Sequence, residues 1–270
     1  MRKTGNFSHH SNQENLKVKK IESIKELRKI CQPTQKDVYQ IFRDRLYRKI
    51  SIYLTKFFIY TPITANGVSF IMILSGIFSA ILYMKGEYFY SLAAIFMFQL
   101  YVLLDFTDGE VARYKKQFSR RGAYLDLMSH IIINPLLMMG MAVGAYFNNP
   151  LPIPDFTYLI AGFLGVYSLL MINFMTLKKY EMCIVKKEKK VFEKIGQIMS
   201  KRWAGEEVGE KSFSNIKAKI SSFVGFRHFN LMFYMTIFNL VPFLVLFNGI
   251  LFPFSAVIKF YHEYKYIDEI

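Results

Sequence analysis

Carboxylates and a histidine recur at helical spacing between residues 105 and 130. Asp105 and Asp108 are three residues apart, and Gly122, Asp126 and His130 follow one another at intervals of four. Side chains three or four residues apart lie on one face of an α-helix. If the helices that carry the two sets are antiparallel neighbours, as their short polar connection indicates, the three carboxylates converge on one site.

These carboxylates would repel one another in a site of low dielectric, and a divalent cation would relieve that repulsion. Carboxylate oxygens suit Mg²⁺, Mn²⁺ or Ca²⁺. Gly109 and Gly122 leave room for the bulk of a ligand against the backbone, and Arg113 supplies a fixed cation for a phosphate or carboxylate group. The segment therefore predicts a divalent-metal site beside an anion-binding arginine.

The elements that must hold these residues are apolar enough to cross a membrane. A helix needs about 20 residues to span a hydrocarbon core of about 30 Å. The last apolar stretch is too long for one ordinary span, and it predicts a helical hairpin that turns near Asn248-Gly249. We therefore expect an all-α, polytopic membrane protein with six transmembrane helices. The apolar stretches are Asn66–Met84, Tyr88–Leu104, Leu127 to the turn at Asn148-Asn149-Pro150, Phe156–Leu177 and Phe229–Ile258.

Composition excludes other classes of protein. The chain of 270 residues is 53% hydrophobic with a net charge of +15, and its 27 Phe and 18 Tyr exclude a disordered chain. A nucleic-acid-binding module spreads its cations over the fold, whereas here charge and apolar residues occupy separate stretches, so we expect no nucleic-acid partner. A soluble core of six apolar helices would need an outer layer for which too few residues remain.

The distribution of basic residues predicts the orientation. Among 35 Lys and Arg, only Lys85 lies in the loops 85–87, 147–155 and 248–249, which alternate with strongly basic segments. Because basic loops stay on the cytoplasmic side, both termini and the carboxylate cluster are expected in the cytoplasm. The expected location is a cell inner membrane or an endomembrane, with membrane lipids as partners.

Three regions are expected along the chain. Residues 1–40 form a cytoplasmic N-terminal extension, 41–60 a basic amphipathic helix in the membrane interface, and 61–270 the six-helix membrane domain with a cytoplasmic loop at 178–227. The two cysteines, Cys31 and Cys183, are assigned no role, because two lone cysteines form neither a disulfide framework nor a metal cluster.

The segment 105–130 resembles the signature of the CDP-alcohol phosphotransferases, also called CDP-alcohol phosphatidyltransferases. That signature reads D-x2-D-G-x2-A-R-x8-G-x3-D-x3-D, and the chain departs from it only at the last aspartate, which is His130 here. Six spans with cytoplasmic termini are also the architecture of that family. The matching residues are Asp105, Asp108, Gly109, Ala112, Arg113, Gly122 and Asp126.

The resemblance implies a reaction. Members transfer a substituted phosphoryl group from a CDP-linked donor, such as CDP-diacylglycerol or a CDP-amino alcohol, to an alcohol or phospho-alcohol acceptor, and they release CMP. It implies that the three aspartates hold Mg²⁺ or Mn²⁺, as one ion or two, against the donor pyrophosphate. It also implies a homodimer. The nucleotide pocket would be lined by Asp105, Asp108, Gly109, Ala112, Arg113 and Gly122.

His130 occupies the position of the family's general base. A neutral imidazole can accept a proton, so we expect His130 to act with Asp126 in catalysis and to contribute to the metal site. A catalytically impaired homologue that serves as a membrane scaffold is the alternative, and a six-helix transporter is another. Metal-dependent affinity for CDP or CMP separates the enzyme from both.

The sequence indicates the chemical identity of the acceptor less clearly than that of the donor. Cations near the site would suit a phosphorylated acceptor, and Arg120, Arg121 and Arg227, with Lys56, have the right membrane depth. A polyol could instead be hydrogen-bonded by His228 and Asn230.

Overall fold

The computed structural model describes residues 23–32, 42–148, 150–185 and 230–265, and this part of the chain is helical and contains no strand. The predicted extension 1–40 lies outside the described residues except for 23–32. The loop 178–227 lies outside them beyond Val185, as do Arg227 and His228. The helices are α1 (Ile24–Cys31), α2 (Phe42–Ile59), α3 (Ala65–Tyr83), α4 (Tyr88–Lys115), α5 (Arg120–Phe147), α6 (Phe156–Val185), α7 (residues 230–237) and α8 (Val241–Lys265).

Five of these helices are long and apolar enough to cross a membrane: α3, α4, α5, α6 and α8. Several long apolar helices make this an integral membrane protein. Only eight residues of α7 are described, so the count of six spans stays a prediction.

The predicted hairpin turn at Asn248-Gly249 is wrong. Both residues are buried inside α8, and the chain turns instead at residues 238–240, where Asn239 has a φ of 57°. Asn tolerates this left-handed conformation better than most residues do. A Cβ on Gly249 would lie 2.6 Å from Cβ of Ala161, so the glycine permits close packing of α8 on α6. Packing between helices therefore outweighs the local turn tendency of Asn-Gly.

The helix α3 lies between α4 and α5. Both helices pack on α3 rather than on each other, although only residues 116–119 connect them, and α5 also packs on α6. Close approach of α3 and α5 depends on Gly140, where an added Cβ would lie 2.5 Å from the carbonyl oxygen of Ala80. The expected antiparallel neighbours are thus separated along much of their length, because α3 packs against both.

The amphipathic helix α2 lies against α4. Tyr47 stacks on Phe106 with ring centroids 5.8 Å apart. The opposite face of α2 carries exposed apolar side chains, which suit a membrane interface; its location there stays a prediction. These side chains are Leu46, Ile50, Tyr53 and Phe57.

Local interactions at the helix ends shape the entrance to the bundle. The Thr64 hydroxyl caps α3 by accepting a hydrogen bond of 3.2 Å from the backbone amide of Gly67. The Ser119 hydroxyl caps α5 by accepting one of 2.9 Å from the backbone amide of Gly122. At the end of α4, the Lys115 ammonium donates to the carbonyls of Phe58, Thr61 and Ile63 at 3.1, 3.0 and 2.6 Å. The end of α4 is thereby joined to the connection between α2 and α3.

Candidate active site

A cleft of about 460 Å³ lies between α3, α4 and α5, at the end where residues 116–119 connect α4 to α5. Its walls include the first turns of α3 and α5 and the last turns of α4. All eight residues predicted for metal, nucleotide and catalysis line this one cleft. They are Asp105, Asp108, Gly109, Ala112, Arg113, Gly122, Asp126 and His130.

Three possible metal ligands meet across the cleft. Nε2 of His130 lies 3.3 Å from Oδ1 of Asp105 and 3.7 Å from Oδ1 of Asp126. One ligand atom from each residue lies within 4.8 Å of the others. Two carboxylates suit Mg²⁺ or Mn²⁺, and the imidazole nitrogen adds a third donor, so this donor set fits a divalent cation.

Asp108 lies in the cleft but outside that group of three. Its Oδ2 accepts a hydrogen bond of 2.6 Å from the Ser69 hydroxyl, and both residues are buried. Ser69 was not singled out from the sequence, because nothing in α3 marks one serine among several as the partner of an acid in α4. The membership of Asp108 in the metal site stays a prediction.

Tyr101 is a second residue that sequence reasoning missed. Its hydroxyl lies 2.8 Å from Nδ1 of His130 and 3.5 Å from the Ser129 hydroxyl, and the side chain is 2% exposed. A signal was present, since Tyr101 precedes Asp105 by four residues and so shares its helix face. The contact orients the imidazole so that Nε2 faces the carboxylates.

Arg113 is held at the edge of the cleft. Its Nε donates to the carbonyl oxygen of Cys31 at 2.5 Å. A Cβ on Gly109 would lie 3.5 Å from Nη1 and 3.7 Å from Nη2 of Arg113, so the missing side chain leaves space in the cleft beside the guanidinium. The arrangement can present two nitrogen donors to an anion.

Gly122 allows α5 to begin close to α3. A Cβ there would lie 2.7 Å from Oδ1 of Asn66 and 3.2 Å from the Ser119 hydroxyl. Any larger residue would displace Asn66, which also lines the cleft.

Glu110 belongs to α4 but does not line the cleft with the three aspartates. It is 1% exposed and accepts hydrogen bonds from the hydroxyls of Ser51 at 2.7 Å and Thr55 at 2.5 Å, and from the Gln32 amide at 2.7 Å. The sequence contained a signal here as well, because a charged residue within an apolar helix is functional by default. Its partners, however, come from α2 and from the residue that follows α1, both far away along the chain.

The predicted acceptor residues that the structure describes do not line the cleft, and Arg227 lies outside the described residues. Arg120 and Arg121 are exposed at the start of α5 and do not line it, and Lys56 is half-buried in α2. Their role with an acceptor stays a prediction.

Comparison with known proteins identifies one relationship. The family model for CDP-alcohol phosphatidyltransferase matches residues 62–259, a range that includes the whole cleft. No curated protein matches the chain in sequence.

Proposed function

Because the chain belongs to the CDP-alcohol phosphatidyltransferase family, we propose that it transfers a substituted phosphoryl group from CDP-diacylglycerol or a CDP-amino alcohol to an alcohol and releases CMP. The family uses CDP-alcohols in lipid synthesis. One observation carries the proposal: a single cleft contains the motif carboxylates, the motif arginine and His130, which faces Asp105 and Asp126.

The residues divide into a nucleotide side and a reacting side. Gly109 and Ala112 provide space for the cytidine nucleotide, Gly122 lets Asn66 keep its place in the wall of the cleft, and Arg113 binds the phosphate oxygens. Asp105 and Asp126 would hold Mg²⁺ or Mn²⁺, with Asp108 as a further ligand, so that Nε2 of His130 stays free to accept a proton. A cation held there would supply positive charge that offsets the charge of the pyrophosphate and of the leaving CMP.

The proton of the acceptor hydroxyl is transferred to His130 as the hydroxyl attacks the phosphorus. The hydroxyl oxygen forms a bond to the phosphorus of the substituted phosphoryl group, the bond from that phosphorus to the CMP oxygen breaks, and the hydroxyl proton passes to Nε2 of His130. For this, Nδ1 must carry the other imidazole proton and donate it to the Tyr101 oxygen, 2.8 Å away. Placing both reactants in one cleft supplies much of the rate enhancement.

The position of the cleft supports an enzyme over a transporter. Transporters bind their substrates near the middle of the membrane, whereas this cleft lies at the end of α4 and the beginning of α5. Together with the basic loops, this supports six spans, cytoplasmic termini and a cytoplasmic cleft. We retain the homodimer as part of the proposal.

The test is CMP release by the purified full chain. CDP-diacylglycerol, CDP-ethanolamine and CDP-choline are each supplied with a panel of alcohols and phospho-alcohols in the presence of Mg²⁺ or Mn²⁺. Release that requires both donor and acceptor supports the transferase. Metal-dependent binding of CDP without release of CMP from any pair would instead support the impaired homologue. That alternative is suggested by His130, which stands where the signature has an aspartate. Absence of CDP binding would leave a transporter as the alternative.

A further inference from the structure

A short helix outside the residues matched by the family model packs against the motif helix. The family match begins at residue 62, whereas α1 spans Ile24–Cys31. Ser23 and Glu26 form a capping box at its start, and Leu27 and Cys31 are completely buried on one face. A helix of eight residues is marginal alone in water, so its order depends on this packing.

Gln32 anchors the end of α1. Its side-chain amide donates to the backbone carbonyl of Arg48 in α2 and to Oε1 of Glu110 in α4, both at 2.7 Å. Ser51 and Thr55 donate to the same carboxylate and keep it in place. One amide therefore joins three helices through a buried charge, and hydrogen bonds to charged groups are among the stronger ones.

The same end of α1 contacts the motif arginine. Glu110 and Arg113 are three residues apart on α4, and the Cys31 carbonyl, next to Gln32, accepts the hydrogen bond from Nε of Arg113 at 2.5 Å. Carbonyls at the C-terminal end of a helix carry partial negative charge and stabilise a cation. Nη1 and Nη2 remain on the side of Gly109, toward the cleft.

We propose that the C-terminal end of α1 is a positioning element of the nucleotide site, in which Gln32 holds the Cys31 carbonyl against Arg113 so that the guanidinium presents its two terminal nitrogens to the phosphates of a cytidine diphosphate. The inference rests on the proposed function and adds to it a segment outside the family-matched residues. Gln32 acts through Arg113, and no contact of Gln32 with the nucleotide is required.

Docking of α1 and binding of the nucleotide are thermodynamically linked. If docking of α1 favours nucleotide binding, nucleotide binding must favour docking of α1 by the same factor. The buried thiol of Cys31 reports docking, because a reagent can reach it only when α1 moves away. Cys183 is the only other cysteine of the chain, so Cys183→Ser leaves one thiol to follow.

The first experiment measures the affinity of the purified full chain for CDP with Mg²⁺. Gln32→Met keeps the length of the side chain but removes the amide, and it should weaken binding about tenfold. Lys29→Met, at an exposed position of the same helix, is the control and should change affinity less than twofold. In an Arg113→Met background, Gln32→Met should have almost no further effect, because the residue through which it acts is gone.

An unchanged affinity for CDP in Gln32→Met would overturn the inference. It would also be overturned if Gln32→Met still weakened CDP binding tenfold in the Arg113→Met background. Each of these outcomes leaves the proposed function intact, provided that the unaltered protein binds CDP. If the unaltered protein does not bind CDP at all, the proposed function fails, and the inference fails with it.

The second experiment follows alkylation of Cys31 in the Cys183→Ser protein. Gln32→Met should accelerate labelling about tenfold, and saturating CDP should slow labelling severalfold when Arg113 is present. Saturating CDP should leave the rate unchanged in Arg113→Met. Equal protection by CDP with and without Arg113, or no protection in either, would contradict coupling through the arginine.

Discussion

The hydroxyl oxygen of Tyr101 lies 2.8 Å from Nδ1 of His130, and so a buried residue of α4 orients the side chain that stands where the resembled signature has its last aspartate. The opposite ring nitrogen, Nε2, then faces Asp105 and Asp126 at 3.3 and 3.7 Å. The imidazole is thereby directed at the carboxylates with which the family's aspartate is expected to act.

Removing the Tyr101 hydroxyl should slow the reaction without unfolding the protein. Tyr101→Phe keeps the ring, which stacks on Phe98 at 5.6 Å between centroids, but it releases Nδ1 of His130. We expect kcat to fall about 10-fold or more, with a small change in KM for the donor, because such orienting partners commonly contribute that much. Tyr124→Phe, at an exposed position of α5, is the control. An unchanged kcat would mean that the hydroxyl does not orient a reacting group.

His130 itself should be replaceable by the family residue. His130→Ala should lower CMP release about 10²-fold or more, the usual contribution of a positioned base, whereas His130→Asp should keep or raise activity. The measurement is steady-state CMP release with the best donor and acceptor pair. If His130→Ala turns over as fast as the unaltered protein, another group accepts the proton. Activity found only in His130→Asp would identify an impaired homologue.

The carboxylates and the metal should be required together. Asp105→Asn and Asp126→Asn keep the side-chain shape but remove the charge that a divalent cation needs, so each should abolish measurable CMP release. Removal of divalent ions with EDTA should do the same, and Mg²⁺ or Mn²⁺ should restore activity to the unaltered protein only. Asp155→Asn, at an exposed position before α6, should leave turnover unchanged. Normal turnover in EDTA would refute the metal site.

The orientation in the membrane can be tested with single cysteines. In a protein with Cys31 and Cys183 replaced by Ser, Glu87→Cys should react with a membrane-impermeant thiol reagent added to the non-cytoplasmic face, and Lys116→Cys should not. Both positions are exposed at opposite ends of α4, so accessibility is matched. Labelling of Lys116→Cys from that face would reverse the proposed topology.

Because α8 is continuous through Gly249, a larger side chain at this position should lower the thermal stability. Gly249→Val places a branched side chain where even a Cβ would lie 2.6 Å from Cβ of Ala161, so α6 and α8 must separate. Overpacking of this kind costs about 1–3 kcal/mol, and Tm in detergent should fall by roughly 5 °C. Ile250→Val, one position further on the exposed side, should change Tm little. A Tm that Gly249→Val leaves unchanged would favour a loose turn at this site.

Periodicity along one helix was readable from the sequence. Asp105 and Asp108 share a face of α4, and Gly122, Asp126 and His130 share a face of α5, because helical geometry repeats every 3.6 residues regardless of what surrounds the helix. The apolar stretches that became α3 to α6 were readable for a similar reason, since crossing a hydrocarbon core sets a length that composition reveals.

Partners between distant segments were decided only by the tertiary structure. Ser69 with Asp108, Gln32 with Glu110, and the Cys31 carbonyl with Arg113 are separated by 39, 78 and 82 residues, and no local pattern specifies such pairs. The position of the last turn was also decided there, since the packing of Gly249 on Ala161 keeps Asn248-Gly249 helical. Helix periodicity and span length follow from interactions within a segment, whereas these contacts depend on how closely different helices can approach.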